Sequence, residues 1–351
     1  MMQEWQKNIL ALSILPQILL VKLLALFPRF IENVYSTGIY QLLGQIWRYV
    51  LGWIPFSFGD IFYTFLGIYA IRWLVDHRKR LLKSPLTWFR DVLIAISMAY
   101  AAFHLFWAFN YYRLPLHEKM DIGNEYTTEE LIQIIDQLIV DANAAHTKIV
   151  AHDSLMATTD YNKDELLQKS IIGFEQIEKE YPFLALKGVS IKSSLYRWPL
   201  TYMGFGGYLN PFSLEAQVNT VNLPHKMPTT ASHEMGHQVG YAAENEANFI
   251  AFLTTTNHTD DYFKFSGYVF GLKHCLRELR RRAPETFDEK VETINIGIRK
   301  HYQAEYEFWQ QYQNFLEPVF KASYNQFLKA NNQSKGIESY SYVVALIVNY
   351  L

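Results

Sequence analysis

The chain has 351 residues, half of them hydrophobic and 16% aromatic, with 32 Lys and Arg against 34 Asp and Glu. That length allows a domain-sized core with residues to spare. A formal net charge of −2 gives no support to a polyanion-binding role, so nucleic acid is not an expected partner; the single cysteine, Cys275, excludes an internal disulfide.

The apolar residues are concentrated in the first third. Ile9 to Phe27 is almost unbroken, interrupted by Pro16, Gln17 and Lys22. It is close to the roughly 20 residues that cross a bilayer as a helix. The run is long and lacks a small-x-small cleavage site, which favours an uncleaved anchor over a signal peptide. Lys22 reads as a side chain snorkelling near a helix end.

Residues 28–55 are amphipathic and carry Tyr35, Tyr40, Trp47, Tyr49 and Trp53, residue types that favour the membrane boundary. Ser57 and Asp60 mark a helix start, and the apolar run it opens continues to Val75. A third run spans Val92 to Phe109 and ends in Asn110-Tyr111-Tyr112-Arg113; His104 within it is expected to make a helix-packing hydrogen bond. Arg78, Lys79, Arg80, Lys83 and Arg90 crowd the loop between the second and third runs, whereas the first loop has Arg29 and Arg48. The positive-inside rule puts the denser loop in the cytoplasm and everything after Tyr112 outside.

The expectation is a membrane anchor at 1–112, with spans near 9–27, 58–75 and 91–110, followed by an extracytoplasmic domain at 113–351. That domain opens with the helix start Thr127-Thr128-Glu129-Glu130, then an apolar pattern at Leu131, Ile134, Ile135, Leu138 and Ile139. One amphipathic helix is expected over Lys163 to Glu180. Residues Val189 to Asn222 turn to short alternations rich in Tyr, Val, Ser and Gly, which read as strands, with turns or close backbone approach at Gly204, Gly206 and Gly207. Pro224 and Pro228 end that region, and Thr229 or Thr230 can cap the helix after them. Gly240 permits a tight turn into a second helix from about Ala242 to Thr255, and helices continue to the C-terminus. Arg277, Arg280, Arg281 and Arg282 read as a solvated face of one of these helices.

The chemistry is concentrated in His233-Glu234-Met235-Gly236-His237, an H-E-x-x-H stretch. Histidines four apart share one face of a helix and can offer nitrogens to one metal ion, with Glu234 within reach of a metal-bound water. A catalytic zinc takes three protein ligands and leaves a fourth place for water. Glu244 and Glu246 both follow closely, but two residues apart on a helix they point in nearly opposite directions. Glu244 shares its face with the small residues Ala247, Asn248 and Ala251, so it is the preferred third ligand. Glu246 shares its face with Phe249, Ile250 and Leu253, and stands as the alternative or as a structural acid. A water bound to such a metal, with Glu234 beside it, is equipped for hydrolysis. Glu215, Asn219 and Tyr268 are the weaker candidates for substrate contact, and Tyr241 and Tyr262 are near enough in sequence to be considered for the oxyanion.

H-E-x-x-H followed by E-x-x-A-[D/N] resembles the gluzincin metallopeptidases. The resemblance implies a zinc ion held by His233, His237 and Glu244, with Glu234 as general base, hydrolysing peptide bonds of a substrate paired along a strand between Met203 and Asn222. Asn248 falls where many relatives carry an acid that orients a ligand histidine, and the His237–Glu244 separation is shorter than in most of them. Across nearly the full chain, Glu32–Tyr40, Pro55–Asp60, Phe109–Arg113 and Glu244–Phe249 resemble a bacterial family of three-helix membrane proteins known as a domain of unknown function. The expected whole is a membrane-anchored α+β chain in the inner membrane, with a mainly helical zincin-like domain and a small sheet. A non-catalytic zinc-binding sensor or envelope assembly factor is the alternative; the oligomeric state is left open.

Overall fold

The computed structural model describes residues 2–333, 336 and 342–351. Helices α1 (Glu4–Leu12) and α2 (Ile14–Leu24) meet at Ser13 and are followed by one turn, α3 (Pro28–Phe30), a π-helical stretch at Ile31–Ile39, and α4 (Tyr40–Leu51). Then come α5 (Phe58–Lys83) and α6 (Pro85–Phe106), which form a hairpin, a 3-10 turn at Ala108–Tyr112 and α7 (Leu116–Met120). Three segments, Glu4–Leu24, Phe58–Lys83 and Pro85–Phe106, are long and apolar enough to cross a membrane. Ser13 and Gln17 hydrogen-bond Ser97 across the α2–α6 contact, the polar pairing that holds apolar helices in register. At the hairpin tip Arg80 pairs with Asp91 at 2.9 Å, and Arg90 reaches Glu4 at 2.5 Å, so the start of α1 lies at the tip end. His104 Nδ1 sits 3.0 Å from Tyr100 O on its own helix, so its bond is intrahelical rather than the cross-helix one expected.

The rest of the chain runs α8 (Thr128–Ile149), α9 (Lys163–Lys169), α10 (Ile171–Ile177), β1 (Ile191–Ser193), α11 (Arg197–Met203), β2 (Gly207–Leu209), β3 (Ala216–Val218) and α12 (Met227–Gln238). It ends with α13 (Glu244–Thr256), α14 (Asp261–Arg282), α15 (Pro284–Glu292), α16 (Ile296–Gln311), α17 (Glu317–Ala330) and α18 (Val343–Tyr350). Thr127 caps α8 through Glu130, as the sequence pattern requires. The helix expected over Lys163–Glu180 is broken at Ser170, whose Oγ bonds Leu166 O, and the strand region holds only three short strands with α11 between them. The strands form one sheet in the order β1-β3-β2, with β1 parallel and β2 antiparallel to β3. β2 is therefore an edge.

The main core gathers Leu131, Leu138, Met235, Phe249, Phe252 and Leu272 from α8, α12, α13 and α14. A second cluster joins Ile31, Tyr35, Tyr40 and Trp107 to Leu209, Leu214 and Ala242. It straddles the boundary expected at residue 112, so the N-terminal region and the following domain share buried surface. Arg113, with Glu32 at 2.8 Å and both side chains buried, pins the crossing point, and Lys119 joins the same carboxylate at 2.5 Å.

Candidate functional site

α12 is a core helix although its sequence is polar. Ala231 and Met235 are fully buried on one side, Gly236 lets Ala247 and Ile250 of α13 approach closely, and the sheet packs on another face. It begins at Met227, with Pro228 in its first turn where a missing N–H costs nothing, so Thr229 and Thr230 lie inside it rather than capping it. Its end is a Schellman turn. Gly240 takes φ +99°, its N–H donates to His237 O at 2.8 Å, and Tyr241 N–H donates to Gly236 O at 3.3 Å.

Carbonyls at this helix end also accept hydrogen bonds from far away in the chain. Tyr40 Oη donates to His237 O at 3.2 Å, Gln41 Nε2 to Val239 O at 2.8 Å, Arg48 Nη1 to Gln238 O at 3.1 Å and Arg113 Nη1 to Gly240 O at 2.9 Å. Two guanidinium groups at a helix C-terminus also oppose the negative end of its dipole. Sequence reasoning missed these contacts, since nothing local ties residues 40–48 to residue 238.

The tight turn folds α13 back so that Glu244 meets the two histidines. Glu244 Oε2 lies 3.2 Å from His233 Nε2, and Oε1 lies 3.9 Å from His237 Nε2. Donor atoms of His233, Glu234 and His237 all fall within 4.8 Å of one another, a grouping that could hold a metal ion. The other ring nitrogens are held in place: His233 Nδ1 lies 2.9 Å from Asn248 Oδ1 and His237 Nδ1 lies 2.7 Å from Tyr241 O. Both partners are acceptors, so each Nδ1 carries a proton, and each Nε2 is the ring nitrogen left on the Glu244 side to offer a lone pair to a metal.

Burial sets the electrostatics, then charge adjusts it. Burial drives the His237 pKa down to about 4. It pulls His233 down as well, but the Glu244 hydrogen bond, the Glu234 and Glu244 charges and Asn248 together outweigh it and hold that imidazole above the ordinary histidine value. For Glu244, burial is likewise outweighed by the His233 hydrogen bond and the nearby imidazoles, leaving it at about 2. Its place in the first turn of α13 adds a favourable helix dipole. Glu234 is pushed up to about 8 by burial, and its Oε2 is buried without a hydrogen-bond partner among the described residues.

Glu246 is elsewhere. Its Oε1 accepts the Leu116 N–H at 2.6 Å near Arg113, and burial raises it to about 7. The structure thus brings Glu244 to the histidines and turns the alternative away. Glu215 is fully buried, paired with Lys192 at 2.5 Å and accepting the Gly59 N–H at 2.6 Å, and Asn219 is spent on Thr201 and Phe205. Neither faces the cleft, because both serve to join the sheet to its neighbours. Tyr268 packs against the core of the domain outside the cleft, and the Tyr241 ring lies under the Arg113 guanidinium at 3.9 Å. Tyr262 is buried in the main core and also lies off the cleft lining.

The site opens into a cleft of about 1490 Å³. Tyr111 and Tyr324 line it beside Glu244, and Tyr324 Oη donates to Glu244 Oε1 at 2.7 Å. Edge strand β2 forms a wall: a methyl group at Gly207 would come within 2.7 Å of Glu234 Oε1 and 2.6 Å of Gln217 O. The glycine is needed there for close approach to the glutamate. Arg277, Arg281 and Arg282 stand at the outer rim, solvent-exposed as expected. Tyr324 and Tyr111 carried no sequence signal that set them apart among 24 tyrosines.

A family described as proteins of unknown function, DUF3810, matches residues 35–348. The chain belongs to this family. No curated protein and no solved structure is detectably similar to the DUF3810 chain. The family match spans α4 through most of α18, so it covers the second and third apolar helices together with the histidine site.

Proposed function

We propose that this DUF3810 chain is a zinc-dependent endopeptidase with a zincin-like domain, anchored in a bacterial inner membrane and facing its extracytoplasmic side. One observation carries the reading: Glu244 converges on two histidine nitrogens whose opposite ring atoms are already held, beside a buried glutamate whose Oε2 has no hydrogen-bond partner among the described residues. The donor set of two imidazoles and one carboxylate, with room left over, suits a catalytic zinc. His233, His237 and Glu244 would hold it. Bound zinc would polarise the scissile carbonyl and make a water acidic enough to attack near neutral pH.

The chain's own residues supply the rest. Glu234, which the positive charge of a bound metal would keep ionised despite its burial, takes the proton of the attacking water and delivers it to the departing nitrogen as the C–N bond breaks, so the products are a carboxylate and an amine. The free side of β2 pairs with the substrate backbone, and Gly207 keeps that backbone close to Glu234. Tyr111 and Tyr324 are the phenols placed to donate to the developing oxyanion. The basic residues between Arg78 and Arg90 support the orientation, because they lie at the hairpin tip, opposite the end that bears Trp107 and the site.

Purified full-length protein should cleave a generic unfolded protein, lose that activity to a chelator and regain it with zinc. Cleavage that ignores the chelator, or a zinc-loaded chain that cleaves nothing, would favour a non-catalytic sensor or assembly factor. A reporter fused after Leu351 should signal an extracytoplasmic location; a cytoplasmic signal would reverse the topology.

A further inference from the structure

We infer that the cleft receives the membrane-proximal stretch of a polypeptide that is itself anchored in the bilayer, entering sideways between the domain-side ends of α5 and α6. The inference rests on the peptidase reading and adds the substrate class to it. It begins with which residues form the cleft. Tyr63 comes from α5 and Phe103 from α6, two of the helices apolar and long enough to cross a membrane. Tyr63 lies five residues into its helix, about 7.5 Å at 1.5 Å per residue, and Phe103 lies about one turn before the end of its own. The lining of the cleft therefore includes side chains from the domain-side ends of two spanning helices.

A line of aromatic rings connects this part of the lining to the candidate metal ligands. Phe103 packs on Phe327 at 6.1 Å, Phe327 stacks on Tyr324 at 6.1 Å, and Tyr324 bonds Glu244. From the other side Trp107, the residue after α6, meets the His237 ring edge-on at 5.8 Å. Only one or two side chains separate the reacting centre from the end of a spanning helix.

The elements framing the mouth carry apolar side chains on their outer surface. Trp198 and Tyr202 on α11 are each 52% exposed, Val319 on α17 58%, and Phe315 just before it 86%. Both elements are tied to the spanning helices or to each other: Tyr196 Oη lies 2.6 Å from Thr64 Oγ1 on α5, and Asn314 Nδ2 donates to Tyr202 O at 2.7 Å. An exposed apolar patch beside a spanning helix, with Trp and Tyr among it, suits the headgroup layer and not bulk water. The bilayer is thus the occupant of this rim, continuous with the surface already turned to lipid by α5.

Edge strand β2 fixes the direction of approach. Tyr208 Oη bonds Asp60 in the first turn of α5, which puts the strand at the start of that helix, while Gly207 lies against Glu234. A substrate chain pairing along β2 runs past the point where α5 enters the membrane. A polypeptide leaving the bilayer there presents its first extended residues to Glu234, whereas a site far from the membrane would have to fold back to reach it.

The test uses the full chain reconstituted in vesicles of phosphatidylethanolamine with a minority of phosphatidylglycerol. One unfolded sequence is offered three ways: free, fused directly to a transmembrane helix, or fused to that helix through a folded spacer domain. Cleavage should fall at least about tenfold when the spacer lifts the sequence off the bilayer, even though both tethered forms share the same membrane and local concentration. Phe315→Glu and Val319→Glu should keep cleavage of the free sequence in detergent and lose the preference for the directly tethered one. Equal rates with and without the spacer, or a preference unchanged in both variants, would overturn the inference while leaving Glu234-dependent cleavage of the free sequence, and so the peptidase reading, intact. If no form is cleaved in a Glu234-dependent way, both fall. A second readout needs no turnover. Cys275 is buried, so a nitroxide reagent labels Val319→Cys selectively; the label should collide more with lipid-soluble oxygen than with a water-soluble nickel chelate, and the reverse order would also overturn the inference.

Discussion

Asn248 Oδ1 lies 2.9 Å from His233 Nδ1, across the contact between α12 and α13. The amide accepts the imidazole proton and so fixes which ring nitrogen is free to bind a metal. Removing such an orienting partner generally costs about 10–100-fold in metal affinity. Asn248→Ala should therefore weaken zinc binding by about that factor in competition with a chromophoric chelator, and Asn248→Asp should hold it or tighten it. Unchanged affinity in the alanine variant would mean that His233 is oriented by something else.

The two nearby acids should separate cleanly. Glu244→Ala should abolish stoichiometric metal, whereas Glu246→Ala should leave the metal in place and lower stability by about 1–3 kcal/mol, because the buried Leu116 N–H loses its acceptor. Metal analysis paired with thermal unfolding reads both. Metal loss in the Glu246 variant would contradict the assignment.

Gly207 is a test of close approach. Gly207→Ala should reduce cleavage about a hundredfold or less, the scale of a 1 Å misplacement, with zinc content unchanged. Full activity would show that β2 can move away from Glu234 without consequence, and would remove it as the substrate strand.

Glu32 and Arg113 form a buried pair where the N-terminal region meets the domain. Glu32→Gln leaves Arg113 buried and short of its counter-charge, so unfolding in detergent should show a loss of about 3–5 kcal/mol. The exposed Arg299–Glu292 pair is the control, and Glu292→Gln should change stability by less than about 1 kcal/mol.

Acid sensitivity should come from a buried cluster beside the cleft. Burial lowers His225 to about 3, aided by His301 and Lys226, and burial lowers His301 to about 4. Burial raises Glu305, but Lys226 and Lys273 outweigh it and hold it at about 2. For the histidines the unfolded chain binds protons first, so their contribution is complete above about pH 6.5 and declines as pH falls toward 4 and 3. The depressed Glu305 adds a contribution that is complete above about pH 4.5 and lost on the way to 2. Unfolding midpoints should thus fall steadily below about pH 6.5, and His301→Gln should flatten the upper part of that decline. A flat profile between pH 6.5 and 4 would contradict the cluster's role.

Much of this was legible in local patterns. The three apolar helices, the α8 capping box, the Gly240 turn and the helical spacing of His233 and His237 are written within a few residues of each other, so propensity and periodicity reveal them. The choice of Glu244 over Glu246 also followed from helix geometry, because the small side chains of Ala247 and Asn248 had to face α12. What escaped depends on distant partners. Tyr40 reads as a boundary residue and Arg48 as a loop charge, yet both cap α12, and Glu215 looked available while Lys192 and the start of α5 consume it. Polar residues in a strand do not announce whether they face a cleft or a buried neighbour. The aromatic line through Phe327 and Tyr324 is invisible for the same reason, since it forms only when α17 returns to α6.

The central claim is that Glu234 moves a proton beside a metal held by His233, His237 and Glu244. The most direct measurement is the rate of peptide-bond cleavage by wild type and Glu234→Gln at matched zinc occupancy. The account predicts equal zinc content and a fall in rate of at least about a hundredfold, the usual scale for losing a general base. Equal rates at equal zinc would contradict it.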